Sequence, residues 1–186
     1  MYRPKHSTLE LIVGCMFSGK TEELLRRIKR AEIAKQKTII FKPAIDDRYM
    51  AEKACTHDGN SRESVLISEV WDIPKKALKV EAEVIGIDEV QFFNKDIIPV
   101  IESLVKQGKR VICSGLDMDF KEDVFYVTAI LLAKADFVDK LTAVCVECGA
   151  PATKTQRRVE GKPIYEGERI QVGGKESYVA TCSKCY

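Results

Sequence analysis

From Thr8-Leu-Glu-Leu-Ile-Val-Gly14-Cys-Met-Phe-Ser-Gly-Lys-Thr21 most of the architecture can be worked out. Thr8 to Val13 alternates and then runs apolar into Gly14, the pattern of a buried strand entering a turn. Beyond Thr21, Leu24, Leu25, Ile28 and Ala31 recur at helical spacing, and Arg26, Arg27, Lys29 and Arg30 cover the opposite face. That is an amphipathic helix lying on a sheet, and its basic stripe is expected to face water.

The turn between strand and helix, Gly14 to Thr21, fits G-x-x-x-x-G-K-[ST] in the strand–turn–helix context that the motif requires. Glycines permit backbone angles that aim successive N–H groups at phosphate oxygens, and the helix N-terminus adds partial positive charge at the same place. Gly14, Cys15, Met16, Phe17, Ser18 and Gly19 are therefore the candidate cradle for ATP, with Lys20 neutralising the β- and γ-phosphates and Thr21 ligating Mg²⁺.

Outward from this unit, Lys37 to Phe41 reads as a second strand ended by Pro43. Pro43 to Arg62 has almost no periodicity, and so long a stretch without structure of its own is expected to be functional or mobile. Further strands are expected over Val84 to Ile87, Arg110 to Cys113 and Phe137 to Thr142, with helices over Asp96 to Gln107 and Phe125 to Lys134. Short apolar strands alternating with helices imply an α/β fold, a mostly parallel P-loop (RecA-like) sheet covered by helices on both faces. After Ala143 cysteines, glycines and threonines replace the periodic pattern, so a boundary is expected near Lys140, dividing an α/β nucleotide-binding domain (1–140) from a small C-terminal lobe (141–186).

Val84-Ile-Gly-Ile87 leads into Asp88-Glu89. An apolar strand ending in an acid is where a P-loop protein makes its second magnesium contact. Neighbours at a strand end point to different sides, so Asp88 can serve the metal while Glu89 accepts a proton. The proton could come from a substrate hydroxyl or, in an ATPase, from water; the acid pair alone does not separate the two.

Cys145-Val-Glu-Cys148 and Cys182-Ser-Lys-Cys185 supply four thiolates, enough for a closed tetrahedral Zn²⁺ site with no position left for a catalytic water. The long stretch 149–181 between the pairs would be pinned by that structural zinc. Cys15, Cys55 and Cys113 read as plain thiols, Cys113 as a small buried residue on a strand. Seven cysteines with four in Cys-x-x-Cys pairs favour a reducing compartment with a bound metal over a disulfide framework.

The bulk numbers fit that picture. In 186 residues, 45% hydrophobic and 31% charged, there is enough apolar material for a real core. A net charge of +2 lacks the basic excess of a duplex-DNA binder, so no nucleic-acid partner is expected. Met1 to Ser7 has no apolar segment behind it, and the longest apolar run, Ala129 to Ala133, is too short for a bilayer; no signal peptide and no membrane span are expected, and the chain reads as cytoplasmic.

Along nearly its whole length the chain resembles the type II thymidine kinases, the tetrameric, zinc-bearing class. The resemblance is carried by Met16-Phe-Ser-Gly-Lys-Thr21, Asp46-Asp-Arg48 with Tyr49, Thr56-His57, Asp88-Glu-Val-Gln-Phe-Phe93 and Gly115-Leu-Asp117 with Phe120. It continues through Thr142-Ala-Val-Cys145, Cys148, Thr155-Gln-Arg157, Val172-Gly-Gly174, Tyr178 and Cys182 to Tyr186. It implies that Glu89 is the general base, that Asp88 and Gln91 stand on the magnesium–phosphate side, and that Asp46, Asp47 and Arg48 order the phosphates. Thymidine, or deoxyuridine, would lie among Met16, Phe92, Leu116 and Phe120, with Thr155 near the base methyl. A lasso loop (Arg169, Ile170, Gln171, Val172, Gly173) would cover it, and Tyr178 would reach the sugar. The resemblance also implies a homotetramer and feedback inhibition by dTTP. Phe93 is expected in the core, and His57 is given no catalytic part. Cys15 stands where family members usually have proline, Glu22 where threonine or serine is usual, and Val124 where a proline commonly precedes Phe125, so Phe125 is not counted in the pocket.

Two other classes remain consistent with parts of the chain. A RecA- or helicase-type ATPase would hydrolyse ATP when nucleic acid is added, without thymidine. A zinc-ribbon module with a vestigial P-loop would bind DNA in a salt-dependent way.

Overall fold

In the computed structural model, which describes residues 7–44, 64–169 and 177–186, the apolar run Thr8–Gly14 forms β1, buried from Leu9 onward. The chain continues as α1 (Lys20–Ile33), β2 (Thr38–Pro43), β3 (Val65–Ile67), α2 (Asp72–Lys79) and β4 (Val84–Ile87). A one-turn 3₁₀ helix (Val90–Phe92), α3 (Ile97–Lys106), β5 (Arg110–Gly115), α4 (Tyr126–Lys134) and β6 (Phe137–Leu141) complete the larger part. Among the described residues these strands form a six-stranded sheet in the order β3-β2-β4-β5-β1-β6, with every pairing parallel.

Because strand side chains alternate, β1, β4 and β5 feed two cores. On one face Leu9, Leu11, Val13, Ile85, Ile87, Val111 and Cys113 pack against Ile73 and Ala77 of α2, Ile97, Ile101 and Leu104 of α3, and Val127 and Leu131 of α4. On the other, Ile12, Ile40, Val84 and Ile112 meet Leu24, Ile28 and Ala31 of α1. Helices on both faces of a parallel sheet are the arrangement the strand–helix alternation predicts. Phe93 and Cys113 lie in the first core, as expected.

The basic stripe of α1 departs from its expected solvation at one residue. Arg27 has a side chain only 12% exposed and joins three acids: Nη1 donates to Glu10 Oε2 at 2.8 Å, Nε to Glu23 Oε1 at 2.8 Å, and Nη2 to Asp139. Glu10 lies on the α1 face of β1, and a buried carboxylate there needs a partner that only a long cation from the helix can supply.

After β6 the chain forms small antiparallel pieces: β7 (Ala143–Val144) with β8 (Pro151–Ala152), and a three-stranded sheet β10-β9-β11 of Lys162–Ile164, Lys154–Val159 and Tyr178–Thr181. No helix among the described residues is long and apolar enough to cross a membrane.

Candidate active site

The phosphate-binding turn leaves the C-terminal end of β1. Gly14 has φ 150°, and a Cβ there would lie 2.4 Å from the carbonyl oxygen of Leu141 and 2.9 Å from Ser18 Oγ, so the turn closes only over a glycine. Lys20 Nζ folds back over the loop, donating to the Cys15 carbonyl at 2.6 Å and reaching Ser18 Oγ at 3.5 Å. Burial holds this ammonium below its ordinary pKa, against the opposing charge of Glu89 and, after it, Cys15, Asp117 and Asp88. The loop is also tied from outside. The Met16 N–H donates to Thr155 Oγ1 at 3.0 Å, and the Cys15 thiol to the Ala152 carbonyl at 3.3 Å.

At the end of β4 the two acids part. Asp88 is 2% exposed, and its Oδ1 accepts from Ser114 Oγ at 2.6 Å and from the Glu89 N–H at 3.1 Å. Thr21 Oγ1 lies 3.3 and 3.2 Å from its two oxygens, and Lys42 Nζ lies 3.1 Å from Oδ2. Glu89 takes left-handed backbone angles (φ 52°, ψ 42°), a conformation costing a β-carbon-bearing residue about 1–2 kcal/mol. Its Oε2 accepts from Gln91 Nε2 at 2.7 Å, and Gln91 Oε1 accepts in turn from the Leu116 N–H at 3.0 Å. The result is a hydroxyl–carboxylate pair, Thr21 with Asp88, whose hard oxygens fit Mg²⁺, and a separate carboxylate oriented by an amide.

Two aromatic groups lie among the residues expected in the pocket. Phe92 meets Phe125 edge-to-face at 6.2 Å, and the Arg169 guanidinium lies 4.3 Å from the Phe125 ring centre. Arg169 is fixed by Asp119 (2.8 Å) and by the carbonyls of Val124 (2.7 Å) and Asp123 (3.2 Å). Separately, the Arg157 guanidinium lies 3.7 Å from the centre of the buried Phe120 ring and donates through Nη2 and Nε to the Tyr178 hydroxyl at 2.7 and 3.1 Å.

The sulfurs of Cys145, Cys148, Cys182 and Cys185 all lie within 4.8 Å of one another, with Cys148 and Cys182 3.7 Å apart. Thiolates around tetrahedral zinc at roughly 2.3 Å sit about 3.8 Å from each other, so the donor set fits that ion. Backbone amides, that of Cys182 foremost, bring the Cys145 thiol down to about 6, whereas crowding by Cys148 and Cys182 pushes Cys185 up to about 12. A dication is what lets four such sulfurs be negative together. Cys145 shares its small core with Ala143, Ala152, Ala180 and Cys15 of the phosphate loop.

The sequence model of the thymidine kinase family matches residues 7–186. The chain belongs to the thymidine kinase family. It is therefore a kinase, and those of the residues singled out in its sequence that are described can be located one by one. Lys20, Thr21 and Asp88 meet at the phosphate turn, and Gln91 joins Glu89 to Leu116. Thr155 is bonded to Met16, while Phe120 and Tyr178 share Arg157. Phe17 stands out as exposed, with φ 66°. Asp46, Asp47, Arg48, Ile170, Gln171, Val172 and Gly173 lie outside the described residues, as do Tyr49, Cys55, Thr56, His57 and Gly174.

Sequence reasoning passed over Lys42, Ser114 and Asp119, gave Arg157 no role beyond its place in Thr155-Gln-Arg157, and left Phe125 aside. Ser114 carried a usable signal: it ends an apolar strand, and open parallel sheets bind ligands at the C-terminal ends of their strands. Lys42 belongs to no motif, and only its partner marks it; the role of Arg157 likewise shows only in its contacts with Phe120 and Tyr178.

Proposed function

We propose that this thymidine kinase transfers the γ-phosphoryl group of ATP to the 5′-hydroxyl of thymidine, and of deoxyuridine, a nucleotide-salvage step giving dTMP from thymidine. What supports the reading most is the parting of the two strand-end acids. Asp88 is engaged with Thr21, while Glu89 is turned aside by its left-handed backbone and held by Gln91. The phosphate loop from Gly14 to Thr21, with Asp46, Asp47 and Arg48, holds the donor. Thr21 and Asp88 hold Mg²⁺, which when bound neutralises the β- and γ-oxygens. Glu89 takes the hydroxyl proton, and Lys20 spreads the charge that develops as the bond forms. Met16, Phe92, Leu116, Phe120, Thr155, Tyr178 and the segment from Arg169 to Gly173 enclose the nucleoside, and that enclosure excludes water.

The same reading assigns a structural Zn²⁺ to the four cysteines, a division between 1–140 and 141–186, and a cytoplasmic enzyme inhibited by dTTP. It also assigns a homotetramer, supported by the apolar residues that β6 and α4 leave exposed, among them Tyr126 (61%), Phe137 (59%) and Val138 (43%).

The test is a panel of nucleosides incubated with MgATP, following 5′-monophosphate formation. Thymidine and deoxyuridine should give product and purine nucleosides none. ATP hydrolysis stimulated by nucleic acid and indifferent to thymidine would overturn the reading.

A further inference from the structure

Asp88 is saturated by the protein itself. A carboxylate offers about four acceptor positions; here Ser114 Oγ, the Glu89 N–H, Thr21 Oγ1 and Lys42 Nζ take them. Three of these are neutral groups belonging to the elements around the acid. The fourth is a full positive charge delivered from β2, the neighbouring strand, whose register sets Phe41 opposite Ile87 and so brings Lys42 alongside Asp88. The Lys42 side chain is 29% exposed whereas that of Asp88 is 3% exposed, so a partly exposed cation is paired with an almost wholly buried carboxylate. An ammonium and a divalent cation at one carboxylate oxygen repel each other, and in a partly buried site that repulsion is little screened.

We propose that Lys42 is a positioning residue that occupies the cation place beside Asp88 in the nucleotide-free enzyme, so that a divalent cation gains Asp88 only by displacing it. This deepens the magnesium assignment and rests on the reading of Thr21 and Asp88 as the metal pair. The consequence is ordered entry: free metal is kept out, and the metal arrives with the phosphates whose charge draws the ammonium away. Lys42 also holds the Asp88 carboxylate in its place beside Thr21 until then.

The test is titration of the zinc-loaded, nucleotide-free full chain with Mn²⁺, followed by electron paramagnetic resonance. Lys42→Met should bind Mn²⁺ at least about fivefold more tightly than wild type, and Lys42→Arg, which keeps the charge, should match wild type. Asp88→Asn in the Lys42→Met background should abolish the gain. No gain in Lys42→Met, or a gain that survives loss of Asp88, overturns the proposal. Should Lys42→Met fail to fold, judged by circular dichroism, Lys42→Gln takes its place with the same two outcomes. The titration needs no nucleoside, so it stands apart from the thymidine panel: wild-type chain inert toward thymidine would sink the activity while leaving the cation competition to be decided by Mn²⁺ alone.

Discussion

Glu89 and Gly115 show how much of the site depends on the stereochemistry of single residues. The left-handed angles of Glu89 separate its carboxylate from that of Asp88, and Gln91 holds it there. If Glu89 is the base, Glu89→Gln should lower kcat about 10²- to 10⁴-fold while the thymidine Kd changes by less than about threefold. Steady-state kinetics paired with calorimetric binding would check this, and an unaltered kcat would remove the role. Gly115 sits under Gln91: a Cβ there would lie 2.5 Å from Gln91 Oε1 and 3.0 Å from Val90 Cγ1. Gly115→Ala is therefore expected to push Gln91 off Glu89 and cost about 1–3 kcal/mol of stability. Denaturant melts and kcat measured together would show both losses; a variant with normal Tm and normal kcat would mean that Gln91 does not need this position.

Between elements, the contact of α1 with β1 and β5 is ionic as well as apolar. Hydrogen bonds from Arg26, opposed by burial and reinforced by Arg27, take Glu23 down from 4.5 to about 2. Burial pushes Glu10 up, but the hydrogen bonds and charges of Arg110 and Arg27 together carry it below 4.5. A folded-state pKa below the unfolded one gives stability that is present above the unfolded value and disappears as pH falls through the folded value. The protein should therefore lose stability between pH 4.5 and about 2, and Glu23→Gln should flatten that part of the profile. Denaturant unfolding of both proteins across this range is the measurement, and parallel profiles would dismiss the network as a source of acid sensitivity. At this same scale the sequence was only partly legible. β4 was read to the residue because all four of its residues are buried and its three side chains are apolar. α2 was missed because only Ile73 and Ala77 are buried in it, too few to establish a period, although Pro74 in its first turn was a usable marker. β9 was missed for a different reason. Its buried residues are Thr155, Gln156 and Arg157, so no apolar alternation exists to be read. Each meets a partner distant in sequence: the Met16 N–H, the Tyr186 carbonyl and the Tyr178 hydroxyl.

For the whole molecule, the decisive arrangement is that the cysteine site and the phosphate loop share structure. Cys15 lies in one small core with Cys145, and Met16 and Cys15 are bonded to β9 and β8. If the four cysteines hold zinc, stripping it with a chelator should therefore weaken ATP as well as thymidine, with the Kd for a non-hydrolysable ATP analogue rising roughly tenfold, about 1.4 kcal/mol. By reciprocity ATP should tighten binding of the metal at the four cysteines by the same factor. Calorimetry on metal-loaded and metal-free protein decides it: identical ATP affinities would mean that the cysteine site does not brace the phosphate loop.

What the sequence determined by itself was everything a short window can encode. The phosphate turn, the amphipathic face of α1, the apolar strands and the paired cysteines are patterns of period and spacing, and each reports how one segment meets its surroundings. Only the tertiary structure decided which distant group meets which. It set Lys42 and Ser114 on Asp88, buried Arg27 among three acids, and placed Phe125 between Phe92 and Arg169. The reason is physical. A polar or charged side chain has no periodic signature of its own, and its place is fixed by the one complementary group that strand order and register bring within bonding distance.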